Sequence, residues 1–271
     1  MVKLTNCKTV KHNYQITFTL DDGSTKELLV SEDLLVEHRL LKDKVFDEPA
    51  FRSFLRIASV DHIYQGLVKR LSLHPRTVAE TEKILAEKEL GETEQRLVLE
   101  RLKKAGWLDD ERFVENYLDY HMSVRHEGPA KLRFALHLKG IGDTQINRHL
   151  SRYDEAFLLE NMNLMMDKYL AKPQNHPKDR AKQLLAQKLI ASGFEPDKVF
   201  SFVKSKAALF ENPEADLRLL EHDLRKALRK YPESTTLPRE TKTKIVRSLM
   251  AKGYAYGNIM KMIEGGFNGE Q

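Results

Sequence analysis

Leu132-Arg133-Phe134-Ala135-Leu136-His137-Leu138-Lys139-Gly140-Ile141 carries one apolar residue, a second four positions on, a glycine four after that, and an apolar residue directly behind the glycine. The spacing returns in Val98-x3-Leu102-x3-Gly106-Trp107, in Leu185-x3-Leu189-x3-Gly193-Phe194 and in Ile245-x3-Leu249-x3-Gly253-Tyr254. Apolar residues at i and i+4 share one face of a helix. Glycine takes the left-handed cap that ends the helix, and the apolar residue behind it folds back on the last turn. The beat then resumes at Phe113, Ile146, Val199 and Ile259, and again at Tyr117, Leu150, Val203 and Ile263. A degenerate fifth copy lies around Leu85, with its glycine displaced to Gly91. Repetition at this interval predicts tandem three-helix units, each a leading helix followed by a helix-turn-helix, in an elongated and curved array. The fold class is therefore mainly α, with a small β-containing extension at the N-terminus.

That extension differs in pattern. Tyr14-Gln15-Ile16-Thr17-Phe18-Thr19-Leu20 alternates, Asp21-Asp22-Gly23-Ser24 is a turn signal, and Glu27-Leu28-Leu29-Val30 resumes a strand. Residues 2–10 could supply a third strand, and Ser31 is placed to cap a short helix. Residues 51–58 read as a second short helix or the lead into the next. The expected division is 1–56 for the extension, then repeats over 57–125, 126–206 and 207–271. Expected helices include 62–73, 77–89, 93–105, 109–123, 154–170, 178–192 and 214–230, with a loop at 231–238. Asp109 and Asp143 are expected as N-caps, and Met162, Met165 and Met166 as core.

Bulk properties narrow the function. The 271 residues carry 45 Lys+Arg against 40 Asp+Glu, for a net charge of +5. Residues 126–206 hold a net +5 and residues 207–271 a net +2, counted along the chain. The excess favours a polyanion or an acidic protein surface as partner. No stretch is long and apolar enough to span a bilayer, and the first residues show no secretory signal. The single cysteine, Cys7, excludes an intrachain disulfide and suits the cytoplasm.

No motif for catalysis stands out. There is no phosphate-binding loop, no Gly-x-Ser-x-Gly and no cysteine-based zinc pattern. Asp109-Asp110-Glu111 reads as helix capping rather than a carboxylate pair. Trp107 reads as core rather than as a stacking platform for nucleotides. The chain is expected to be a binding protein without cofactor or metal, not an enzyme. A sequence-specific DNA reader is disfavoured. Asp109-Asp110-Glu111, Asp143, and Glu195 with Asp197 would face phosphates from three of the would-be recognition helices, and Ala255-Tyr256-Gly257 begins the fourth without a basic residue. Basic residues sit on the preceding helices instead: Lys103, Lys104, Lys131, Arg133, Lys139, Lys182, Lys188, Lys244, Arg247 and Lys252. These ten are the candidate contacts to a polyanion such as DNA or to an acidic protein surface. Lys131, Arg133 and Lys139 flank the buried stripe of one helix and are expected to reach a partner without disturbing its unit.

Gly106-Trp107-Leu108-Asp109-Asp110-Glu111-Arg112-Phe113-Val114 resembles the G-x-L-D-D-x-R-F-A signature of the RecX regulatory proteins. Gly128-Pro129 through Gly140-Ile141 is similar to that family's G-P-x-x-I-x-x-E-L-x-x-K-G-I, with Ala135 in place of the glutamate. Val30 to Val36 resembles the extension of Gram-positive members, with Lys42-Asp43-Lys44 where Lys-Gly-Lys is common. Gly106, Leu108, Asp109, Asp110, Arg112, Phe113, Gly128, Pro129, Gly140, Gly193 and Gly253 form the structural signature. The resemblance implies binding to the RecA recombinase and its single-stranded DNA filament. It also implies modulation, usually inhibition, of RecA ATP hydrolysis, strand exchange and coprotease activity. The alternative is a non-specific DNA-binding protein acting without RecA. No membrane partner is expected, and the chain is expected to be a monomer.

Overall fold

Alternation at the N-terminus builds a sheet before any helix forms. In the computed structural model, which describes residues 1–11, 13–173, 175–229 and 238–265, the strands are β1 (Val2–Val10), β2 (Asn13–Thr19), β3 (Thr25–Val30) and β4 (Val45–Phe46). They form one antiparallel sheet in the order β3-β2-β1-β4. The third strand at 2–10 is as anticipated, and two-residue β4 is an addition. Gly23 takes φ +80 in the β2–β3 turn, where the Ser24 amide donates to Asp22 at 2.9 Å. Asp43 is also left-handed at φ +73, and its carboxylate pairs with Lys3 at 2.8 Å. Val2, Leu4, Ile16, Phe18 and Val30 point to one face, and Phe18 meets Phe51 edge-on at 5.0 Å.

Thirteen α-helices lie among the described residues. Helix α1 (Glu32–Glu37) is capped by Ser31, as its sequence signalled. Helix α2 (Glu48–Leu73) is one 26-residue helix. Of the two readings of 51–58, a short helix of its own or the lead into the helix at 62–73, the second holds. The buried residues of α2, Phe51, Phe54, Ala58, Asp61, Tyr64, Leu67 and Leu71, recur every three or four positions without a break. The polar Asp61 in that stripe is what left its continuity open.

The remaining helices follow the repeat. They are α3 (Val78–Ala86), α4 (Glu92–Lys104), α5 (Asp110–Asp119), α6 (Pro129–Leu138), α7 (Asp143–Leu150), α8 (Glu155–Leu170), α9 (Lys178–Ala191), α10 (Pro196–Ser205), α11 (Pro213–Leu228), α12 (Arg239–Ala251) and α13 (Tyr256–Glu264). Helix α5 continues as a π-turn over Tyr120–Val124. Met162, Met165 and Met166 are core. The expected loop at 231–238, all but Pro238, lies outside the described residues, as does Lys230.

The chain divides into two compact units, Met1–Asn116 with Leu136–Ile146, and Tyr117–Ala135 with Asn147–Gln271. In the first, one apolar cluster joins the sheet to the start of α2, and a second joins the end of α2 to α3 and α4 through Leu71, Leu85, Val98 and Leu102. In the second, Leu185, Leu189, Val199 and Phe202 centre one cluster, and Leu220, Leu224, Ile245 and Ile259 another.

Candidate functional site

The four glycines that close the repeated helices are left-handed: Gly106 at φ +74, Gly140 at +81, Gly193 at +97 and Gly253 at +99. Behind each, the next amide donates back to the leucine four before the glycine. The pairs are Trp107 to Leu102 (2.9 Å), Ile141 to Leu136 (3.1 Å), Phe194 to Leu189 (3.3 Å) and Tyr254 to Leu249 (3.3 Å). This is the Schellman cap the spacing anticipated. Gly91 does not join the series. Its φ is −66, and it opens α4 instead of closing α3.

Three of the four turns also dock. A Cβ on Gly140 would stand 2.4 Å from the Cβ of Ala79 at the start of α3. One on Gly193 would lie 2.5 Å from the Lys131 Cβ and 2.6 Å from its nitrogen, at the start of α6. One on Gly253 would lie 3.0 Å from the Arg180 Cβ, at the start of α9. Backbone bonds seal the second contact: the Gly128 amide donates to Ser192 at 2.6 Å, and that of Ala130 to Gly193 at 3.0 Å. Gly128 is itself a close-approach glycine, since its Cβ would meet the Gly193 carbonyl carbon at 2.3 Å. Carboxylates complete the other two helix starts. Asp110 accepts the Val78 amide of α3 at 2.9 Å, and Asp216 accepts the Lys178 amide of α9 at 3.1 Å. Pro129 opens α6 and has no amide to satisfy. Gly106 docks on nothing within 4 Å.

Asp109 caps α5, accepting the Arg112 amide at 3.0 Å. Asp143 was expected to cap α7 but is its first helical residue. The Ile146 amide bonds to the Gly142 carbonyl, which makes Gly142 the cap. Trp107 is a second correction. It is 39% exposed, whereas its counterparts Ile141, Phe194 and Tyr254 are no more than 7% exposed. Leu108 turns inward in its stead, and the buried line of α5 becomes Val114 and Leu118, one residue beyond Phe113 and Tyr117.

The ten basic residues do not share one environment. Lys103 and Lys104 on α4, Lys188 on α9, and Lys244 and Arg247 on α12 are exposed and make no ion pair among the described residues. Lys131 pairs with Glu127 at 2.8 Å, and Glu127 also holds His121 at 2.6 Å. Arg133 bonds to Asn147 at 2.5 Å. Lys182 lies 3.6 Å from both Asp179 and Glu211, and Lys252 lies 3.0 Å from Asp223. Lys139 is half-buried. Its ammonium donates to Glu80 at 2.9 Å and lies 5.4 Å from the Phe113 ring centre, and its carbonyl accepts the Thr77 hydroxyl at 2.6 Å. Burial pushes the Glu80 carboxyl up, but the Lys139 bond, the Thr77 amide and the nearby charges outweigh this and hold it below its ordinary value. Lys139 is thus engaged within its own unit, whereas Lys131, Arg133 and Lys139 together were expected to face a partner.

One cluster escaped sequence reading. Asp61 is 2% exposed, accepts the Ser31 amide at 3.1 Å and pairs with Arg101 at 3.1 Å, while the Arg101 guanidinium lies 3.9 Å from the Tyr64 ring centre. A lone aspartate in an apolar stripe was the available signal.

Helical units that close on a glycine cap and dock that cap on the start of an earlier helix define a modular helical-repeat protein. Residues 109–150, which take in α5, α6 and α7 and straddle position 125, match the second three-helix domain of RecX. The chain is 24% identical to the regulatory protein RecX of Oceanobacillus iheyensis over 97% of each chain. It is 27% identical to that of Staphylococcus carnosus over the whole of both. A crystal structure of regulatory protein RecX superposes with a TM-score of 0.57 at 24% identity, covering 76% of this chain and all of the other. Along its full length the chain is similar to proteins named as RecX regulators. No helix among the described residues is long and apolar enough to cross a membrane.

Proposed function

We propose that this chain binds the RecA recombinase, chiefly as its filament on single-stranded DNA, and restrains RecA ATP hydrolysis, strand exchange and coprotease activity. It acts in the cytoplasm as a monomer and needs no cofactor. The observation that carries the reading is similarity along the full length of proteins named as RecX regulators. Repeated units with cationic helices suit a partner that is itself a periodic polyanion. The test is ATP hydrolysis by RecA on single-stranded DNA, titrated with this protein. A fall at sub-stoichiometric protein is the expected result.

A second reading has a specific observation behind it. Lys103, Lys104, Lys188, Lys244 and Arg247, all without ion-pair partners among the described residues, suit direct, sequence-independent contact with phosphates. On that reading the inhibition vanishes once DNA is in excess over the added protein.

A further inference from the structure

Trp107 is the chain's one tryptophan, and the only signature residue behind a cap glycine that is exposed. It lines a pocket of about 260 Å³ with Pro75, Arg76, Asp109, Arg112 and Asn116. That is smaller than the roughly 300–1,000 Å³ of sites for drug-sized ligands, and suits one planar ring. The pocket's cations are available. Arg112 makes no ion pair through its side chain among the described residues. Arg76 is exposed and acts on Glu80 only through its charge. Asn116 is exposed, and its side-chain carboxamide makes no hydrogen bond among the described residues. The one acid, Asp109, is occupied with the Arg112 amide at the start of α5. An indole face, two guanidiniums and a side-chain amide are what a nucleotide of a single strand requires. The base stacks, its edge meets a donor and acceptor, and the phosphates on either side meet cations.

We propose that this pocket is a stacking site for one base of single-stranded nucleic acid, with Trp107 as the platform and Arg76 and Arg112 on the flanking phosphates. An acidic peptide would use the guanidiniums but leave the indole without a ring to stack on, so the nucleic acid is favoured. The site goes beyond the filament reading and does not depend on it.

The experiment uses the full chain, an oligothymidylate and no RecA. Trp107 is the sole source of tryptophan emission, so fluorescence reports on this pocket alone. Saturating oligothymidylate is expected to quench it. Trp107→Ala should weaken binding about tenfold or more, in the range found for base-aromatic stacking, and Trp107→Phe should retain most of the affinity. Arg76→Ala and Arg112→Ala should each flatten the salt dependence by about 0.7 in the log-log slope. Binding without a change in emission overturns the proposal, as does a folded Trp107→Ala that binds like the parent. Equal quenching by oligoglutamate overturns it in favour of an acidic peptide. Should Trp107→Ala fail to fold, the emission of the parent protein with each probe decides.

Discussion

Gly106, Gly140 and Gly193 share a backbone conformation but not surroundings, so the same substitution should cost differently at each. An L-residue in the left-handed region costs roughly 1–2 kcal/mol. At Gly106 that is the whole penalty, because a Cβ there meets open space. At Gly193 the Cβ would also press on the backbone of Lys131 and Gly128, and overpacking adds roughly 1–3 kcal/mol. Gly140 falls between, since its only obstacle is the methyl of Ala79. The predicted order of destabilisation is Gly193→Ala, then Gly140→Ala, then Gly106→Ala, read from urea or thermal unfolding. An equal loss at all three would show that the close approaches carry no weight. Position alone could not have supplied this order. The glycine spacing is a local signal and announced the caps, whereas the docking depends on residues tens of positions away.

Helix α2 runs from the sheet to the first repeat, and Asp61 anchors it at mid-length. Asp61 is buried while Arg101 is partly exposed, and removing the partner of a buried charge costs up to about 3–5 kcal/mol, more than removing both. Arg101→Leu should therefore be strongly destabilising, and Asp61→Leu with Arg101→Leu together less so. If the double variant is the worse of the two by denaturant unfolding, the pair is a net stabiliser beyond its geometry. The Thr77–Glu80–Lys139 contact gives a pH-dependent counterpart. Glu80 has a folded pKa below its ordinary value of 4.5, so its contribution is complete above that value and is lost as pH falls through the lowered one. Glu80→Gln should lower stability at pH 7 by about 1–3 kcal/mol and remove part of the loss the parent suffers on acidification below about pH 4.5. Unchanged acid unfolding in Glu80→Gln would exclude this role. Helix existence, most caps and the core faces were legible because they are set by spacing of 3–4 residues. The cross-helix caps by Asp110 and Asp216 and the exposure of Trp107 were not, because each is decided by a distant partner or a shifted turn.

A net charge of +5 says little by itself, since the same lysines can serve a partner or the fold. The structure separates them. Lys139 holds the start of α3 through Glu80 and Thr77 and lies over the Phe113 ring of α5, whereas Lys188, Lys244 and Arg247 end in solvent without an ion pair among the described residues. These two groups should respond oppositely to charge reversal. Surface substitutions away from partners usually change stability by less than about 0.5 kcal/mol, so Lys188→Glu, Lys244→Glu and Arg247→Glu should leave the melting temperature nearly unchanged. If those side chains meet phosphates, each loss lowers the log-log salt slope on single-stranded DNA by about 0.7. Lys139→Glu should do the reverse. It sets two carboxylates against each other beside the Gly140 turn, so it should lower the melting temperature while the salt slope at permissive temperature stays near that of the parent. Salt titrations and thermal melts on the same four variants test both halves at once. A Lys139→Glu variant with parental stability would remove the docking role, and a parental slope in the other three would move the binding surface to Lys103 and Lys104.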